Sequence, residues 1–145
     1  MSYWETSALA KLYIPEPDRA VFEQKVAAAP VCVTTRLAFY EMQRVAFRKE
    51  NEGLIQAGTA ETILNELALD IAADEIQVVE MDTLVEAEFK TVMAACYRSS
   101  TPLLIRTFDA IHLAAARVAG ENEVVATDKR LRDAAKLLGL SLFPA

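Results

Sequence analysis

Cysteine is scarce. Cys32 and Cys96 are the only two in 145 residues, which excludes a disulfide framework and a thiolate zinc site and leaves both as expected buried free thiols. Histidine is scarcer. With His112 alone, a metal-free ribonuclease that uses one histidine as acid and another as base is excluded. The glycines form no Gly-x-Gly-x-x-Gly run and no Walker loop, so nucleotide-cofactor chemistry has no support. A Gly-x-Ser-x-Gly elbow is absent too, which argues against a serine hydrolase built on His112. Basic charge is in deficit, with Lys+Arg 15 against Asp+Glu 21 and a net charge of -6, so a DNA-coating surface is excluded. No apolar run approaches the length of a membrane span, and Met1 to Glu5 has no basic flank leading into one. The expectation is a cytoplasmic protein with no membrane partner.

What the chain does have is a globular balance, 53% hydrophobic and 25% charged, without a low-complexity tract, and this predicts a single domain over residues 1–145. Short β-branched and aromatic runs alternate with longer segments of helical period, the pattern of an α/β domain with a central, mainly parallel sheet. Strands are expected at Ser2–Glu5, Val31–Thr35, Gln77–Glu80 and Glu123–Thr127, with an edge strand at Leu140–Phe143. Thr6 or Ser7 is expected to cap a helix through Tyr13, and Asp18 to open another to about Ala29. Further helices are expected from Arg36 to about Asn51, Thr59 to about Ala73, Asp82 to about Tyr97, Thr107 to Gly120 and Lys129 to Leu138.

In open parallel sheets, ligands sit outside the carboxyl ends of the strands. Glu5 follows the first strand and Asp128 the fourth. Glu41 lies on the border of the apolar arc of the Arg36 helix, beside a polar stripe with Arg44 and Arg48; taken alone it reads as a surface glutamate paired with Arg44. Asp109 lies in the first turn of the Thr107 helix, where the helix dipole favours a carboxylate whatever its role. Together, carboxylates from segments so far apart suggest one crevice. They would repel one another unless a hard cation such as Mg²⁺ or Mn²⁺ neutralised them, and such an ion could activate a water and stabilise charge on a phosphodiester. His112 reads as a helix residue satisfied by a local hydrogen bond rather than as a ligand. Arg44, Arg48, Lys11, Lys129 and Arg130 are candidates for phosphate contacts near the crevice.

Three blocks of sequence resemble the PIN-domain family, and within it the VapC-type toxins of bacterial toxin-antitoxin pairs. They are Trp4-Glu5-Thr6-Ser7-Ala8-Leu9-Ala10-Lys11-Leu12-Tyr13, then Arg106-Thr107-Phe108-Asp109-Ala110-Ile111-His112-Leu113-Ala114-Ala115-Ala116, and last Thr127-Asp128-Lys129-Arg130-Leu131. The resemblance covers nearly the whole chain. It implies a three-layer α/β/α domain and a Mg²⁺- or Mn²⁺-dependent ribonuclease for single-stranded RNA, with Glu5, Glu41, Asp109 and Asp128 as the catalytic and metal-holding acids. Thr6, Ser7 and Thr127 would stand behind them, orienting a carboxylate or its water. A cognate antitoxin protein and a homodimer are the partners it implies besides RNA.

Two departures bear on activity. The family often places Thr one residue farther from the last acid, where this chain has Ala126 with Thr127 adjacent to Asp128, which alters what orients Asp128. Glu5 stands where the family usually has Asp, so its carboxylate is one methylene farther from the backbone, and Mg²⁺ tolerates little departure from octahedral geometry. Glu5 therefore motivates a second reading, a catalytically attenuated module that binds RNA or an antitoxin. A metal-dependent DNA nuclease is a third, since the same chemistry cleaves either backbone.

Overall fold

Five short strands and seven helices alternate along the chain in the computed structural model, which describes residues 1–145. The strands are β1 (Ser2–Trp4), β2 (Cys32–Thr35), β3 (Ile76–Val79), β4 (Glu123–Val125) and β5 (Ser141–Phe143), and the helices are α1 (Thr6–Ala10), α2 (Arg19–Ala28), α3 (Arg36–Asn51), α4 (Thr59–Ala72), α5 (Thr83–Tyr97), α6 (Thr107–Val118) and α7 (Lys129–Leu137). Every strand pair is parallel and the order is β3-β2-β1-β4-β5. The sheet is thus wholly parallel, one step beyond the mainly parallel sheet that the pattern predicts.

Successive side chains of a strand point to opposite faces, and the central strands use this to feed two cores. Tyr3, Val33 and Val124 pack with Val85, Val92, Leu113 and the alanines of α6 on one face. Trp4, Cys32 and Val125 pack with Leu9, Phe22, Met42, Ile63 and Leu67 on the other. Both faces of the sheet are covered, which gives the three layers expected. Ala110, Ala114, Ala115 and Ala116 are fully buried, and their small side chains let α6 lie close against the sheet and α5.

Three local expectations need correction. The cap of α1 is Glu5 rather than Thr6 or Ser7, because the glutamate carboxylate reaches the backbone N–H groups of Ser7 and Ala8. The helix also ends at Ala10 instead of Tyr13; beyond it Leu12, Tyr13 and Ile14 continue in tight turns ahead of Pro15, which disfavours helix at the residue before it. Asp18 occupies the cap position of α2 but caps nothing, since its side chain pairs with Lys11 at 2.8 Å. Asp82 does cap α5, accepting from Leu84 and Val85 N–H as expected.

From β1 the chain builds outward to β2 and β3 on one side, then crosses to β4 and β5 on the other. The strand order therefore reverses between β1 and β4, the place where a doubly wound sheet opens a crevice at its carboxyl edge.

Candidate active site

Glu5 leaves the end of β1 and Asp128 follows β4, one on each side of that reversal. Glu41 reaches the same place from α3 and Asp109 from the first turn of α6. All four line one cleft of about 410 Å³, with Thr6, Ser7, Arg44, Arg48, Arg106 and Phe108. A hollow of about 490 Å³ also takes Glu41, Arg44, Arg106 and Asp109 into its wall, with Phe108.

Each acid is held differently. Glu5 is 5% exposed and heavily engaged: it accepts from Ser7 N–H at 2.9 Å, Ala8 N–H at 3.1 Å and Thr127 N–H at 3.1 Å, and from the Ser7 hydroxyl. Ser7 Oγ and Thr127 Oγ1 lie 2.5 Å apart, so the β1 and β4 ends are stitched together through this carboxylate and its neighbours. Asp128 caps α7 through Oδ1, which accepts from Leu131 N–H at 3.0 Å. Glu41 is clamped at Oε1 by the Thr6 hydroxyl and His112 Nε2, each at 2.6 Å.

His112 departs from the sequence reading. Its partners are not local: Nδ1 lies 2.7 Å from the Tyr3 hydroxyl and Nε2 meets Glu41, and the ring is only 2% exposed. A carboxylate can only accept, so Nε2 carries the proton donated to Glu41. Burial pushes the Glu41 carboxyl up, but the hydrogen bond and charge of His112, the Thr6 hydroxyl and the charge of Arg106 together bring it below the usual range. The surface pair between Glu41 and Arg44 that the helix alone suggests is replaced by this buried arrangement.

Asp109 is buried, and its carboxyl is pushed up by burial and by the neighbouring charge of Asp128, against the pull of Arg106. Arg106 is the residue that sequence reasoning missed. Its Nε lies 3.1 Å from Asp109 Oδ2 and its Nη2 3.4 Å from Asp128 Oδ2, so one guanidinium spans the two acids. It precedes Asp109 by one helical turn, and that spacing was the available signal.

The other cations divide. Arg44 and Arg48 line the cleft. Lys11 does not: it is buried, paired with Glu16 at 2.5 Å and Asp18 at 2.8 Å, and its ammonium lies 5.6 Å from the Phe22 ring centre. Lys129 pairs with Asp133 at 2.8 Å, and Arg130 lines a separate hollow with Leu103, Leu104 and Ile105. Glu5 and Asp128 stand at strand ends as the strand-end rule predicts, whereas the direction of Lys11 and Lys129 is set by local ion pairs.

The donor chemistry fits a hard divalent ion. No group of three His, Cys, Asp or Glu side chains is arranged to hold an ion. Mg²⁺, however, is ordinarily held by one or two carboxylates, with waters and substrate phosphates completing the shell. Asp109 and Asp128 supply such a pair. A softer ion finds no donor here, because both thiols are buried and His112 is already committed on both nitrogens.

A sequence profile of the PIN domain matches residues 3–137. No curated protein matches the chain. Among solved structures, FitAB bound to an IR36 DNA fragment is similar at a TM-score of 0.69 and 15% identity, covering 99% of this chain and 94% of that one. VapBC2 from Rickettsia felis, bound to a DNA fragment from its promoter, is similar at a TM-score of 0.65 and 12% identity, over 98% and 97% of the two chains. FitAcB from Neisseria gonorrhoeae is similar at a TM-score of 0.58 and 15% identity, over 99% and 96%. At these identities the likeness is one of fold.

Proposed function

Because this chain belongs to the PIN-domain family, we propose that it is a divalent-metal-dependent endoribonuclease for single-stranded RNA, acting in the cytoplasm as the toxin of a toxin-antitoxin pair. The observation that carries the reading is the convergence of Glu5, Glu41, Asp109 and Asp128 on one cleft that also presents Arg44 and Arg48. Similarity in fold to FitAB and VapBC2 supports a chain that works with an antitoxin partner, and a homodimer is part of the same proposal.

Asp109 and Asp128 are the residues that would hold Mg²⁺ or Mn²⁺. When bound, such an ion supplies charge stabilisation for a phosphodiester under attack and makes a water more acidic. Glu41, fixed at Oε1 by Thr6 and His112, has Oε2 free to take a proton from the attacking water. Arg44 and Arg48 hold flanking phosphates. Glu5 keeps the β1 and β4 ends in register beneath the cleft through its contacts to Ser7 and Thr127. Attack by water at phosphorus breaks the P–O3′ bond, leaving a 5′-phosphate on one product, while the 3′-oxygen takes a proton from solvent and ends as a hydroxyl on the other.

The decisive experiment is cleavage of a mixed RNA pool with Mg²⁺ or Mn²⁺ against chelator, wild type beside Asp109→Asn. Cleavage that chelator stops and Asp109→Asn lacks, in a variant with an unchanged circular dichroism spectrum, supports the nuclease; wild-type cleavage by Asp109→Asn sinks the assignment. A second reading, the attenuated binding module, is favoured by one observation: the Glu5 carboxylate is already engaged by two N–H groups of its own helix and a third from Thr127. If wild type is silent and Glu5→Asp cleaves, that reading holds.

A further inference from the structure

We infer that Arg106 is a built-in counter-ion: it holds the cation position between Asp109 and Asp128, yields it when a divalent ion enters, and is thereby released toward the substrate phosphate. The inference rests on the metal-dependent reading above and deepens it.

Geometry sets up a competition for one atom. Oδ1 of Asp128 already accepts from Leu131 N–H, so Oδ2 is the more open oxygen for an ion, and Oδ2 is the atom that Arg106 contacts. On Asp109 the contact is likewise to Oδ2, with Oδ1 left over. At Asp128 Oδ2, therefore, the Arg106 guanidinium and an ion would compete for the same atom.

Arg106 is also free to leave. Its side chain is 58% exposed, against 12% for Asp109 and 33% for Asp128, so it lies over the acids from the solvent side. Both of its contacts are to these carboxylates, and the one to Asp128 is long at 3.4 Å. Once displaced it remains in the cleft with Arg44 and Arg48, where a planar guanidinium can grip a phosphate with two parallel hydrogen bonds.

A coupling follows from this exchange. An ion frees the arginine for phosphate, and a bound phosphate keeps the arginine off the acids, so ion and nucleic acid each favour the other. Without substrate, the arginine suppresses ion binding.

The test is Mn²⁺ affinity, followed by electron paramagnetic resonance of the free ion, for wild type, Arg106→Gln and Arg106→Lys. Each is titrated alone and with a 5′-phosphorylated RNA dinucleotide as the phosphate probe. The expected result is that Arg106→Gln alone binds Mn²⁺ roughly fivefold or more tightly than wild type, a shift at the low end of coupled-site effects. Arg106→Lys should fall between them, and the dinucleotide should tighten Mn²⁺ binding in wild type but not in Arg106→Gln. A merely structural arginine predicts the opposite sign, with weaker binding in the variant. Equal or weaker binding by a folded Arg106→Gln overturns the inference and leaves the metal-dependent reading standing. If wild type and both variants bind no Mn²⁺, both fall together.

Discussion

His112 ties the hydrophobic core to the cleft through one imidazole, between the fully buried Tyr3 and the cleft-lining Glu41. Replacing it with leucine removes its long-range contacts to Tyr3, Glu41 and Thr6 and takes one partner from the buried Tyr3 hydroxyl. The expected cost is about 1–3 kcal/mol of stability, read as a lowered urea midpoint with an unchanged slope. The thiols give a second check at this scale. Burial pushes Cys32 up to about 12 and raises Cys96 as well, so neither is a thiolate at neutral pH. Native protein should not react with a thiol-specific reagent over minutes, and both cysteines should react in denaturant; rapid native labelling would contradict the burial of these side chains. Single residues were the least legible part of the sequence. Period alone set Glu41 at the border of an apolar arc, but its partners Thr6 and His112 are 35 and 71 residues away, and nothing local announces them. Lys11 was misplaced for the same reason, because its position is decided by Glu16 and Asp18 across a turn.

Elements carry their own signals, and these were easier to read. The α3 helix spans Arg36–Asn51 as its apolar arc predicts, since a long amphipathic run leaves little freedom in register. The α1 helix, with only five residues, lacks the length to show a period, and its cap, Glu5, lies one or two residues before the expected Thr6 or Ser7. At α5 the cap is plain: Asp82→Ala should cost about 1 kcal/mol, seen as a small fall in melting temperature without change in the folded spectrum. At the end of α6, Gly120 has φ +74°, a conformation that an alanine there adopts only with strain. Gly120 N–H and Glu121 N–H close the helix on the Arg117 and Ala116 carbonyls. Gly120→Ala should lose about 1 kcal/mol, which a denaturant curve resolves, while Asp109 at the far end of the helix keeps its place.

Taken whole, the molecule is acidic at -6, yet Arg44, Arg48 and Arg106 meet in one cleft. Attraction for a polyanion is thus confined to a small region instead of spread over the surface. Arg44→Ala should reduce the slope of log binding constant against log salt by about one, measured by filter binding in Ca²⁺; an unchanged slope would remove Arg44 from the phosphate path. The architecture as a whole was legible from the alternation of strands and helices, and the reversal of strand order gathers its acids. That reversal also makes β1, near the start of the chain, pair with β4, with Tyr3 beside Val124. During synthesis on the ribosome, Glu5 emerges early and must wait for Asp128 and α7 before the cleft has both walls. A growing chain therefore has no finished cleft until Asp128 and α7 have followed β4 out of the ribosome, so whatever the cleft binds meets it only after both walls exist.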